Sequence, residues 1–134
     1  MWPFIDDGAS AVQFVMLVAS AIMGVSHVLR PAMWVEFFGH LHAQGTRGVI
    51  TRTFMLELWP AMLIVTFHQV WWGPGIILTL YGWAQLIKVT ISMLMPEIGL
   101  KSLAMSQRGD RAFHLGGIAL LIVGASAGAA LIWG

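Results

Sequence analysis

The sequence predicts an all-α integral membrane protein with four transmembrane helices in an antiparallel bundle. Three observations lead there. Of 134 residues, 58% are hydrophobic and only 10% charged, with a mean hydropathy of +0.81; a soluble domain carries about 25% charged residues because its surface meets water. The apolar residues gather in four runs, each near the ~20 residues that cross ~30 Å of hydrocarbon. In lipid every backbone amide must be satisfied within its own segment, which selects helix. Residues 1–134 are therefore expected to form a single transmembrane domain.

The first helix is expected over about residues 9–30, ending where Pro31 pushes Arg30 out of helical geometry. The preceding MWPFIDDGAS is acidic at Asp6 and Asp7, with no Lys or Arg before Arg30. It lacks the basic start of a cleavable signal, so this helix is expected to persist. The second helix is expected over 48–68 and the third over 74–95, opened by Pro74 at a favourable first-turn position and closed before Pro96. The fourth is expected over 112–133.

The connections are unequal. QVWWGPG is tight, whereas residues 31–47 and 96–111 are long, amphipathic and suited to lying in the interface. All seven basic residues, Arg30, Arg47, Arg52, Lys88, Lys101, Arg108 and Arg111, fall on the side of the long connections. The positive-inside rule makes that side cytoplasmic and puts both termini outside. Trp2, Trp71, Trp72 and Trp133 then form an outer aromatic belt and Trp34 part of an inner one. The two halves also read alike, as helix, proline, interfacial segment, Gly/Arg-rich turn, helix. That order fits two tandem repeats related about the membrane normal.

Each helix carries one polar or small-residue stripe at three- and four-residue spacing. These are Gln13, Ser20, Gly24 and His27; Thr53, Glu57, Ile64 and His68; Tyr81, Gln85, Lys88 and Ser92; and His114, Gly117, Leu121, Gly124 and Gly128. Turned inward, they leave Glu57, Lys88, Gln85, Arg52 and Tyr81 as a buried polar site. At ~1.5 Å per residue, Glu57 lies ~13 Å from Gly48 and Lys88 ~12 Å from Pro96, so the two depths match. A lone charge there costs at least ~2.5–3.5 kcal/mol, which favours a Glu57–Lys88 pair. Arg52, nearer the interface, is expected to snorkel toward water. The pair reads either as a proton, ion or ligand site or as a structural tie between neighbouring helices. Pro60 frees the carbonyl of Leu56 beside Glu57, as a hinge, a binding niche or a packing bend.

His27 and His114 fall at similar depth near the cytoplasmic ends of the first and fourth helices, where a facing pair would hold haem b or another ligand. His68 reads as a headgroup-level residue beside Gln69 and the tryptophans. There are no cysteines, which removes disulfides, thiolate metal sites and cysteine nucleophiles. No GxSxG, HExxH, phosphate loop or Mg²⁺-type acidic cluster occurs, so no enzyme, catalytic residue or metal is expected.

The segment FHQVWWGPGIILTLYGWAQLIK resembles a recurring pattern in small four-helix bacterial inner-membrane proteins, in which a His-x-Val-Trp turn with Gly and Pro leads into a helix bearing Gly-Trp and then Lys. The matching positions are His68, Val70, Trp71, Gly73, Pro74, Gly82, Trp83 and Lys88, about a sixth of the chain. The resemblance implies a bacterial inner-membrane origin and brings no activity with it.

Three functions remain. The first is a non-catalytic subunit that packs with itself or with a larger membrane complex; the second, a small oligomeric transporter or channel using Glu57 and Lys88; the third, a haem- or quinone-binding anchor. Charged groups inside the bundle occupy only the cytoplasmic half, while the outer half offers Gln13, Tyr81, Thr66, Thr79 and Ser126, which argues against a simple pore. Gly24, Gly117, Gly124 and Gly128 suit close helix packing. The subunit reading therefore leads. The expected partners are lipids, further copies or other membrane subunits, and not nucleic acid.

Overall fold

Asp7 starts the first helix. Its carboxylate accepts the Ser10 amide at 2.7 Å, and Ser10 Oγ accepts the Asp7 amide at 3.0 Å. This reciprocal cap satisfies two amides that the helix itself leaves unpaired. In the computed structural model, which describes residues 2–105 and 109–134, α1 then runs Gly8–Leu29. Pro31 opens α2, Pro31–Ala43. The second long helix, Thr46–Phe67, consists of α3 (Thr46–Arg52), a π-helical turn (Thr53–Leu58) and α4 (Trp59–Phe67). It is followed by α5, Gly75–Leu94, then α6, Pro96–Met105, and α7, Asp110–Trp133. Gly45 (φ 63°) and Gly73 (φ 61°) make the turns before α3 and α5 in a left-handed conformation that other residues resist.

The described residues are all helical apart from turns, and four helices are long and apolar enough to cross a membrane. Their limits fall within two residues of those expected from the apolar runs. Both long connections contain helices, and Arg108, placed on the second connection, lies outside the described residues.

The largest helix contacts are α1 with α7 and α4 with α5. Small residues permit them. A Cβ on Gly24 would lie 2.9 Å from the Gly117 carbonyl oxygen, and one on Gly117 2.8 Å from that of Gly24. On the other pair, Gly82 lies against Ile64, whose side chain occupies the place of its missing Cβ. Close approach of the backbones and dispersion between packed side chains carry these contacts. Exchanging the two halves of the chain maps one contact onto the other, in keeping with the repeated order of elements.

Two apolar cores result. Val12, Met16, Ile64, Leu78, Val123 and Ala127 join all four long helices toward the end that carries the 68–74 turn. Leu41, Val49 and Leu103 form a second core, where α2 and α6 cover the opposite, connector end. Trp34 is half-buried there rather than standing free as an interfacial anchor: it stacks on His27 at 4.3 Å and donates to Ser26 Oγ at 2.8 Å.

Candidate functional site: a polar-walled cavity

The five residues expected as a buried polar site all line one cavity of about 910 Å³ between the long helices. The π turn organises its charged wall. Residues five apart in an α-helix point about 140° away from each other at 3.6 residues per turn. Arg52 and Glu57 would thus face different neighbours. A π turn closes its hydrogen bonds over five residues and brings positions five apart onto one side. Arg52 Nε accordingly lies 3.4 Å from Glu57 Oε1.

The expected Glu57–Lys88 pair is present, with Nζ 2.6 Å from Oε2. Arg52 does not snorkel. It is 3% exposed, with one terminal nitrogen donating to Ser102 Oγ at 3.0 Å and the other to Ser92 Oγ at 3.5 Å. Its inward position follows from the π turn and from α6, which folds back to present Ser102. Lys88, by contrast, keeps 43% of its side chain exposed. Arg52 is thus held on three sides, whereas Lys88 spends one bond on Glu57 and has ammonium hydrogens to spare.

Arg111 of α7 also lines the cavity, so three basic side chains share its wall with the single carboxylate of Glu57. Gln85 and Tyr81 stand on the α5 wall, Tyr81 also packing against the first apolar core. Ser20 reaches the cavity from α1. It is 2% exposed, and its hydroxyl has no hydrogen-bond partner among the described residues. Met16, Met23 and Leu120 supply an apolar wall, and Met55, Trp59 and Leu115 form exposed edges. Gly116 adds room, since a Cβ there would meet no heavy atom within 4 Å.

The two histidines expected to pair are separated. His27 lines the cavity, with Nδ1 against the Met23 carbonyl at 2.6 Å and its ring near Phe113 at 5.5 Å. His114 is exposed and absent from the cavity wall, because Phe113 and Gly117 take the buried positions of that stretch of α7. A bis-imidazole ligand set is not assembled.

The glycine face of α7 is likewise spent within the chain. Gly124 lies against Ser20 and Gly128 against Leu17, both on α1.

His68 is another departure from expectation. It is fully buried rather than set among headgroups, because the 69–74 turn folds over it. Gln13 Nε2 lies 3.0 Å from its Nε2, and Thr79 Oγ1 2.9 Å from its Nδ1. Thr79 has one hydroxyl proton, and its nearest acceptor is the Val70 carbonyl at 2.7 Å. His68 Nδ1–H therefore donates to Thr79, and His68 Nε2 accepts from Gln13. This chain of donors defines a neutral imidazole carrying its proton on Nδ1. Burial also lowers the His68 pKa below its ordinary value of 6.5. With Ser126 donating to the Pro74 carbonyl, these bonds tie all four long helices together at the end away from α2 and α6. The half expected to offer only a few scattered polar groups is thus cross-linked by hydrogen bonds between them.

Nothing in the sequence pattern singled out Ser102 as a partner of the charged wall; its role depends on the folding back of α6. Compared with known proteins, the chain matches no family model, no curated protein and no solved structure at a level that establishes kinship.

Proposed function

We propose that this chain is a non-enzymatic, multi-pass protein of a bacterial inner membrane. In this reading its helices form an antiparallel bundle that binds a small amphipathic molecule in the polar-walled cavity. The observation that carries the reading is the cavity of about 910 Å³ onto which Glu57 and Lys88 open. Binding sites for small molecules are typically ~300–1,000 Å³, mostly apolar, with a few polar groups that fix orientation. The resemblance of the 67–88 segment and the placement of the basic residues support an inner-membrane location with the connector end cytoplasmic. The exposed edges at Met55, Trp59 and Leu115 then face lipid, giving a membrane-dissolved molecule a sideways route in.

The subunit reading relied partly on Gly124 and Gly128 as an assembly face, and α1 already occupies that face. A channel needs a path through the far half, where Gln13, His68 and Thr79 bond to one another. Holding a molecule in the inner half needs neither feature.

Extraction and native mass spectrometry of the full chain purified in mild detergent test the reading. Wild type is expected to carry a small lipophile near one per chain. Gly116→Leu, which grows a side chain into the open space of the cavity, is expected to lose it. Equal retention by the two proteins, or no bound molecule in wild type, would reject the proposal.

A further inference from the structure

The charged wall is not balanced. Arg52 is committed to Glu57, Ser92 and Ser102, so it serves to hold the carboxylate in place. Lys88 contacts only one oxygen of Glu57 and remains partly exposed on the cavity side. Arg111 has no carboxylate partner among the described residues.

We propose that the occupant is an amphipathic anion with a carboxylate or phosphate head and a single apolar chain. Its head sits at Lys88 and Arg111, and its chain runs along Met16, Met23 and Leu120. This rests on the cavity being a binding site. The head follows from charge complementarity: two cations on the wall have spare donors, and both head groups accept from them with charge-assisted bonds. The single chain follows from the volume, which lies near the upper end for one drug-sized molecule. Glu57 faces the same space and repels the head. It sets a limit on affinity, and a bound anion competes with it for Lys88.

The test uses the full chain in nanodiscs of neutral phosphatidylcholine, with bound ligand titrated by native mass spectrometry. The probes are palmitate, lysophosphatidate and hexadecanol, which differ in head group and share an apolar chain. Palmitate or lysophosphatidate is expected to bind far better than hexadecanol, and whichever binds identifies a free fatty acid or a phosphate-headed lipid as the source. Lys88→Gln and Arg111→Gln are each expected to weaken anion binding about tenfold while leaving hexadecanol unchanged, as for loss of one charge-assisted contact. Glu57→Gln is expected to tighten it, an outcome that loss of a purely structural ion pair does not produce. Arg111 lies outside the Glu57 ion pairs, so its variant keeps the test informative if Lys88→Gln folds poorly. Equal binding of hexadecanol and palmitate, blocked by Gly116→Leu, would overturn the anion and leave the cavity reading standing. Absence of binding by all three probes, with no effect of Gly116→Leu on bound lipid, would overturn both.

Discussion

Arg52 and Glu57 meet across a π turn, with Nε 3.4 Å from Oε1, in a helix where α geometry would turn them apart. The arrangement makes Arg52 the structural cation and Lys88 the available one. Breaking a buried ion pair by removing one partner costs about 3–5 kcal/mol, because the other charge is left uncompensated. Arg52→Met is expected to fall in that range. Lys88→Met is expected to cost less, since Lys88 is partly exposed and Glu57 retains Arg52. The double variant Arg52→Met/Glu57→Gln is expected to lose less than the sum of its single changes. Equilibrium unfolding of the purified protein in mixed micelles reads all four.

Two adjacent glycines of α7 predict opposite effects. Gly116 faces open space, so Gly116→Ala gains helix propensity of up to ~1 kcal/mol and strains nothing. A Cβ on Gly117 would lie 2.8 Å from the Gly24 carbonyl oxygen, and Gly117→Ala is expected to cost ~1–3 kcal/mol through overpacking. Thermal midpoints of the two variants should therefore move in opposite directions from wild type.

His68 makes stability depend on pH in a defined direction. Folded His68 refuses a proton that the unfolded chain accepts near pH 6.5, since burial lowers its pKa and both ring nitrogens are committed to Gln13 and Thr79. The unfolded state then binds more protons below that value, and stability falls on acidification. The contribution is complete above pH 6.5 and declines beneath it. Asp7 acts in the same sense at lower pH: its hydrogen bonds from Ser10 depress its pKa below 3.8, so its share is lost only below about that value. Melting curves between pH 5 and 8 are expected to show a steeper loss of stability on acidification in wild type than in His68→Gln.

The orientation is open to direct measurement because the native chain contains no cysteine. Trp72→Cys and Lys101→Cys place single thiols at exposed positions on opposite ends of the helix assembly. A membrane-impermeant maleimide added to intact cells is expected to label the first and not the second. The reverse pattern would invert the assignment of the cytoplasmic face.

Some of this arrangement was legible in the sequence. The four long helices follow from apolar runs of the right length, and depth counting along them put Glu57 beside Lys88. The π turn was not legible. A stripe at three- and four-residue spacing assumes α geometry throughout, and widening at residues 53–58 changes which side chains share a face. Arg52, expected to snorkel because it lies near the interface, instead turns inward to Ser92 and Ser102. His68 was misplaced for a different reason: a polar residue at a helix end beside tryptophans reads as interfacial, and only the path of the following turn shows it covered. His27 and His114 matched in depth but not in direction, because depth fixes height along a helix and says nothing about the neighbouring residue that takes the buried position.

The contact at Gly24 and Gly117 also constrains how the protein can be made. The main partner of α1 is α7, and every other long helix leaves the ribosome between them. During that interval the groove at Gly24 stands unfilled, since Gly117 and Leu121 of α7 are what later lie against it. Insertion of the hydrophobic segments and closure of the assembly are therefore separate events, with closure deferred until α7 is threaded.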